Sequence, residues 1–202
     1  MTCTLCHNYQ YYAETCGKNK LGGIGTQVGA VLFVGGQVTG EDAAAGYPFA
    51  GQEGQALNHA LQRIGVPFAA HCYTKALKCL KEPNQKIKAP EIKKCSVHLD
   101  AEINTMRPRY IVAIGNVATK ALGVAEHYAA AQGNLHVSLR TSVPIFVTMD
   151  IREEALTSQT MFDKFCAQIQ QGFELFKKGA VPNERKIIYQ DYYVCKTAAE
   201  AE

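Results

Sequence analysis

AVLFVGG, Ala30 to Gly36, is five apolar residues in a row halted by two glycines. So short a run, apolar on both faces, fits a strand buried in the middle of a parallel sheet. Three more runs share its character: His71 to Leu77 (HCYTKAL), Tyr110 to Ile114 (YIVAI) and Pro144 to Thr148 (PIFVT). Between them the pattern predicts helices over Gln52 to Ile64, Pro90 to Met106, Asn116 to Ala131 and about Glu153 to Lys178. Strands alternating with helices predict an α/β fold, a doubly wound sheet of about four parallel strands with helices on both faces.

Local signals support these boundaries. Pro90-Glu91 suits a helix start, where proline loses no hydrogen bond and a carboxylate meets the positive end of the helix dipole. Gly123 and Gly179 are placed to stop helices. In the last helix Phe162, Phe165, Cys166, Ile169, Phe173 and Phe176 recur every three or four residues, a stripe that core packing alone explains. One domain over residues 1–179 is expected, followed by an extension over 180–202 with a strand-like piece, Ile187 to Val194, and an AAEAE end.

The 202 residues are 47% hydrophobic, enough to bury one full core. Only 19% are charged and the net charge is +3, so the molecule as a whole is not a strongly basic particle. Contact with nucleic acid therefore has to come from a local patch. The best one is Lys75, Lys78, Lys81, Lys86, Lys88, Lys93 and Lys94, opposed within that stretch only by Glu82 and Glu91. There is no secretory pattern at the start and no run long enough to span a bilayer. The expectation is a soluble, cytoplasmic monomer that does not engage a membrane.

In a reducing compartment the 8 cysteines point to ligation rather than disulfides. Cys3 and Cys6 form a C-x-x-C pair, and Cys79 and Cys95 form a second, wider pair. Two plus two can enclose one tetrahedral thiolate site, for structural zinc or for a cubane iron-sulfur cluster; spacing alone leaves both open. Cys16, Cys72, Cys166 and Cys195 read as ordinary buried thiols.

These cysteines, taken with Gly46-Tyr47-Pro48-Phe49-Ala50-Gly51 (a GxPFxG match), Lys78-Cys79 and Arg107-Pro108 leading into YIVAIGNVAT, resemble the iron-sulfur branch of the uracil-DNA glycosylases. The likeness runs from Cys3 to about Lys178. It implies a base pocket at the carboxyl ends of the strands and a structural [4Fe-4S] cluster on Cys3, Cys6, Cys79 and Cys95. It also implies that Phe49 stacks on a base flipped out of DNA, with Gly36 and Val38 beside that base and Thr39 near the backbone.

Three positions depart from the family pattern. The loop after the first strand reads Gly35-Gly36-Gln37-Val38-Thr39, with Gln37 where some branches carry a water-activating carboxylate. The asparagine that reads the uracil edge corresponds to Lys75, and the histidine of the last motif corresponds to Asp150. A glycosylase must stabilise a cationic sugar and deliver water to it, work that a carboxylate can do. Asp42 and Asp150 are the candidates, ahead of Glu41, with Gln37 beside them. Lys75 is a candidate donor to the base. Lys78, Lys86, Lys88, Asn116 and Arg152 are candidates for contacting the DNA backbone. The leading expectation is excision of a modified, non-uracil base such as glucosylated hydroxymethylcytosine, an activity of anti-phage relatives. Repair of uracil or another deaminated base, and a catalytically silent DNA-binding module, are the alternatives.

Overall fold

The computed structural model describes residues 20–25, 29–81, 85–124, 127–138, 140–151 and 158–179. In chain order the elements are β1 (Val31–Gln37), α1 (Gly40–Ala45), α2 (Gln52–Arg63), a 3-10 turn (Phe68–Ala70), β2 (Cys72–Leu77) and α3 (Ala89–Met106). They continue with β3 (Tyr110–Ile114), α4 (Gly115–Ala121), α5 (Tyr128–Ala131), β4 (Leu135–Val137), β5 (Pro144–Thr148) and α6 (Gln159–Lys177). The sheet order is β2-β1-β3-β5-β4. β1 pairs in parallel with β2 and β3, and β3 with β5, while β4 runs antiparallel to β5.

The four expected strands are the four parallel ones. β4 was not anticipated, because three partly buried residues at a sheet edge carry little pattern. The helix expected over Asn116 to Ala131 is two, α4 and α5: the first turns off near Gly123, whose φ is +73°, a conformation that suits glycine. The last helix begins at Gln159 rather than Glu153, with Ser158 as its cap residue. The extension over 180–202 lies outside the described residues.

Strand alternation sorts the core into two halves. Leu32, Val34, Ile111, Ala113, Ile145 and Val147 face the side covered by α3 and α4, where Ile92, Leu99 and Ile103 close over them. Val31, Phe33, Tyr73, Val112, Ile114 and Phe146 face α2 and α6. Phe165, Phe173 and Phe176 of the predicted stripe are buried in that second half, with Phe162 packed at its edge. It is an aromatic half: Tyr73 stacks on Phe68 at 4.1 Å between ring centroids, and Tyr110 on Phe176 at 4.2 Å. No helix among the described residues is long and apolar enough to cross a membrane.

The chain winds from β1 outward to β2, then returns to place β3 on the other side of β1. That reversal opens a crevice beyond the carboxyl ends of β1 and β3, where open α/β sheets bind ligands.

Candidate active site

A cleft of ≈ 450 Å³ lies at this reversal, within the range of about 300–1,000 Å³ usual for small-molecule sites. β1 and the turn after it supply Gly36, Gln37 and Thr39; the start of α4 supplies Asn116 and Val117. Asp150 comes from just after β5, Glu53 from the first turn of α2, and Gln85, Lys86 and Ile87 from the segment before α3. Two amide oxygens here, Gln37 Oε1 and Asn116 Oδ1, are buried with no hydrogen-bond partner among the described residues. Buried acceptors of this kind are costly unless a ligand or water completes them.

Asp150 packs against Gly115, which has a φ of +83°. A Cβ on Gly115 would lie 2.8 Å from the Asp150 carboxyl carbon, so glycine is what lets this carboxylate seat against the start of α4.

Behind the cleft lies a buried charged cluster. Lys75 is 1% exposed. Its ammonium donates to Glu53 Oε2, lies 3.2 Å from Asp42 Oδ2 and sits 4.3 Å from the centroid of the Phe49 ring. Lys75 pairs in register with Gly35 of β1, and a Cβ there would come within 2.9 Å of both the Lys75 chain and the Phe49 ring. Phe49 itself has a φ of +60°, a strained conformation for a residue with a side chain. Strain, glycine and ion pairs together hold the ring under the ammonium.

Asp42 has a structural post. Its Oδ2 accepts from Thr39 N, its Oδ1 accepts from Ala50 N, and Thr39 Oγ1 accepts from Asp42 N, a capping box that ties α1 to the turn carrying Phe49. Burial pushes the Glu53 carboxyl above its ordinary range; Lys75 pulls it back, while Asp42 and Asp150 add to the rise.

The fold sets several of the predicted residues behind the cleft rather than in its lining. Asp42 and Lys75 are buried, engaged with each other, and do not line the cleft. Phe49 is buried, with the Lys75 ammonium over its ring. The Val38 side chain is fully buried against Leu21, Ala43 and Cys79, so only its backbone is left to serve a ligand.

The basic stretch is not one surface. Lys78 is buried, bonded to Thr74 Oγ1 and Glu102 Oε2 at 2.5 Å each, and Lys81 is buried on Glu91. An ammonium in an apolar interior needs a carboxylate, and these lysines took theirs from α3. Lys86 and Lys88 remain exposed, Lys86 at the cleft rim. Gly36, Gln37, Thr39, Lys86, Asn116 and Asp150 are the predicted residues that the fold does gather around the cleft. Arg152 lies outside the described residues.

Glu53 was missed. A carboxylate in a first helical turn is commonplace, and nothing in the sequence says that this one faces a buried lysine.

Cys79 and Cys95 are both buried, and the Lys78 N–H donates to Cys95 Sγ at 3.4 Å, which sets the second sulfur against the peptide entering Cys79. Two neighbouring thiols beside a backbone donor suit half of a four-thiolate site. Cys3 and Cys6 lie outside the described residues, among which no group of three or more candidate ligands is placed to hold a metal ion.

The chain is 32% identical over 120 residues to the type-4 uracil-DNA glycosylase of Pyrobaculum aerophilum, covering 59% of each chain. It is 31% identical over 103 residues to the type-4 uracil-DNA glycosylase of Archaeoglobus fulgidus, covering 50% of this chain and 51% of that one. The matches thus span about half to three-fifths of these relatives' length. The family model described as the uracil DNA glycosylase superfamily matches residues 24–169, from the segment before β1 into α6, and the chain belongs to that superfamily.

Proposed function

We propose that the protein is a DNA glycosylase that takes one flipped-out base into the cleft beyond β1 and β3 and hydrolyses its N-glycosidic bond, leaving an abasic site. The observation that carries this reading is the seating of Asp150 in that cleft, at the carboxyl end of the sheet of a uracil-DNA glycosylase fold. A carboxylate there can hold a water, take its proton as it attacks the sugar carbon, and offset the positive charge that develops on the sugar. The base must leave the stack first, because its glycosidic bond is out of reach within the duplex.

The substrate is a modified pyrimidine, with glucosylated hydroxymethylcytosine of phage DNA as the leading case and defence against phage as the role. Support comes from the unpartnered acceptors Gln37 Oε1 and Asn116 Oδ1, which suit hydroxyl donors on a modified base, and from the loss of an uncommitted amide at Lys75. Exposed Lys86 and Lys88, with Arg152, are assigned to the DNA backbone. Cys3, Cys6, Cys79 and Cys95 would hold a [4Fe-4S] cluster; bound there, it would cross-link chain segments and leave the reaction to the cleft. Uracil repair is the second reading, favoured by the names of the similar archaeal proteins.

The test is alkali cleavage at abasic sites in unmodified, uracil-containing, hydroxymethylcytosine-containing and glucosylated phage DNA. Cleavage confined to glucosylated DNA, reduced by about 10²–10⁴-fold in Asp150→Asn, supports the first reading. Cleavage of uracil DNA supports the second, and cleavage of none removes both.

A further inference from the structure

Glu53 lines the cleft, and the reaction outlined above does not use it. We propose that Glu53 reads and protonates the edge of the flipped base, and so selects a pyrimidine bearing an exocyclic amino group over its oxo counterpart. The proposal rests on the glycosylase reading.

Lys75 is unavailable to a ligand. Its ammonium has three protons, and Glu53, Asp42 and the face of Phe49 surround it. What the lysine does instead is hold Glu53: Oε2 takes its hydrogen bond, while Oε1 has no partner among the described residues. Lys75 is therefore a positioning residue, and the group offered to the base edge is a carboxyl. The charges around Glu53 are Lys75 from β2, Asp42 from α1, Asp150 after β5 and Lys86 at the exposed rim, with Glu41 bonded to Gln52 N beside it. Among the described residues, the ionisable groups lining the cleft below the rim are Glu53 and Asp150, both carboxyls.

That lining opposes a leaving group that departs as an anion. With Oε2 held by Lys75, the protonated carboxyl presents its Oε1–H as a donor, which the N3 acceptor of an amino-pyrimidine meets and the N3–H of an oxo-pyrimidine does not. Burial helps Glu53 keep that proton. As the N1–C1′ bond breaks, its electron pair passes to the base, the Oε1 proton passes to N3, and the base leaves neutral. Water adds to C1′ and gives its proton to Asp150, which releases it to solvent as Glu53 regains one. In an oxo-pyrimidine N3 already carries hydrogen, so this transfer is closed and the base must leave as an anion between two carboxyls.

The experiment uses DNA oligonucleotides with one target base, in amino and oxo pairs: cytosine and uracil, their 5-hydroxymethyl forms, and the glucosylated 5-hydroxymethyl forms. The amino member of at least one pair should be excised at least about tenfold faster than its partner. That rate should fall as pH rises through the Glu53 titration. Glu53→Gln should lower it by about 100-fold and abolish the pH limb, because an amide hydrogen-bonds but does not hand over a proton. Glu53→Asp should be slower but keep the limb, and decides the matter should the glutamine variant fail to fold, as thermal unfolding and DNA binding would reveal. Faster or equal excision of the oxo member, or an unchanged rate and pH profile in the Glu53 variants, overturns the assignment and leaves the glycosylase reading standing. Excision of no base at all removes that reading, and this inference with it.

Discussion

Lys75 and Lys78 leave the same end of β2 three residues apart and finish in opposite halves of the core, each almost wholly buried. Around Lys78 the polar groups form a closed set. Glu102 Oε2 accepts from both Lys78 Nζ and Thr74 Oγ1, and Glu102 Oε1 accepts from Gly23 N at 3.0 Å, so both carboxylate oxygens are engaged within the fold. Around Lys75 the set is open, because Glu53 turns one oxygen to the lysine and offers the other to the cleft. A closed buried network holds elements together, here β2, α3 and the segment before β1. An open one is poised to be completed by a ligand.

The sharpest way to break this comparison is to neutralise each network as a pair. Lys75→Met with Glu53→Gln should lower base excision by about 10²–10⁴-fold, read as abasic-site formation. Lys78→Met with Glu102→Gln should leave excision unchanged wherever the variant is folded. Equal losses in the two doubles would show that both networks act through stability alone.

Breaking the closed network from one side should be costly to the fold. Lys78→Met strands the Glu102 carboxylate beside Thr74, and removal of one partner from a buried pair costs about 3–5 kcal/mol, measurable by urea unfolding. Restoring neutrality with Glu102→Gln should recover part of that loss. A single variant as stable as the double would mean that Glu102 finds solvent when its lysine is gone.

A smaller effect tests the foundation of the open network. Thr39 caps α1 through its contact with Asp42 N, at 3.2 Å, and Asp42 in turn meets Lys75. Thr39→Ala should cost about 1 kcal/mol. It should also loosen Asp42, so excision should fall by more than the stability loss accounts for at temperatures well below unfolding.

This contrast also marks how far the sequence could be read. The sheet and its flanking helices were legible because short apolar runs and helical stripes are local patterns, and AVLFV or YIVAI shows them within five residues. The place of the cleft was implied by the family resemblance, whose motifs also pointed to Gln37 and Asp150, while Asn116 was picked out as a helix start after Gly115; all three line the cleft. The partners of Lys75 and Lys78 were not legible. A lysine-rich stretch reads as a basic surface until the fold shows that Glu53 and Glu102, 22 and 24 residues away in the chain, have drawn two of those lysines inside. Pairing at that distance depends on how α2 and α3 pack on opposite faces of the sheet, which no single segment encodes.

The other end of β2 supplies a third case, a buried titratable group with no counter-ion. His71 precedes the strand, and both its ring nitrogens are buried without hydrogen-bond partners among the described residues. Its ring stands 5.7 Å from Phe33 and 5.6 Å from Phe173, an apolar surrounding that favours the neutral form and lowers its pKa from the ordinary 6.5. His98 is shifted the same way, by burial and then by Lys20. A folded state that resists protonation binds fewer protons than the unfolded chain, so the stability these histidines allow is complete above pH 6.5 and declines as pH falls below it toward the folded-state value. His71→Phe should flatten that decline without abolishing it, since His98 still titrates. Urea unfolding of both proteins across this range would measure the difference, and identical slopes would mean that the His71 nitrogens find water. Burial disfavours the charged form of Lys78 too, but there Glu102 pulls the other way; His71 has no carboxylate to oppose its burial, and the neutral ring is favoured.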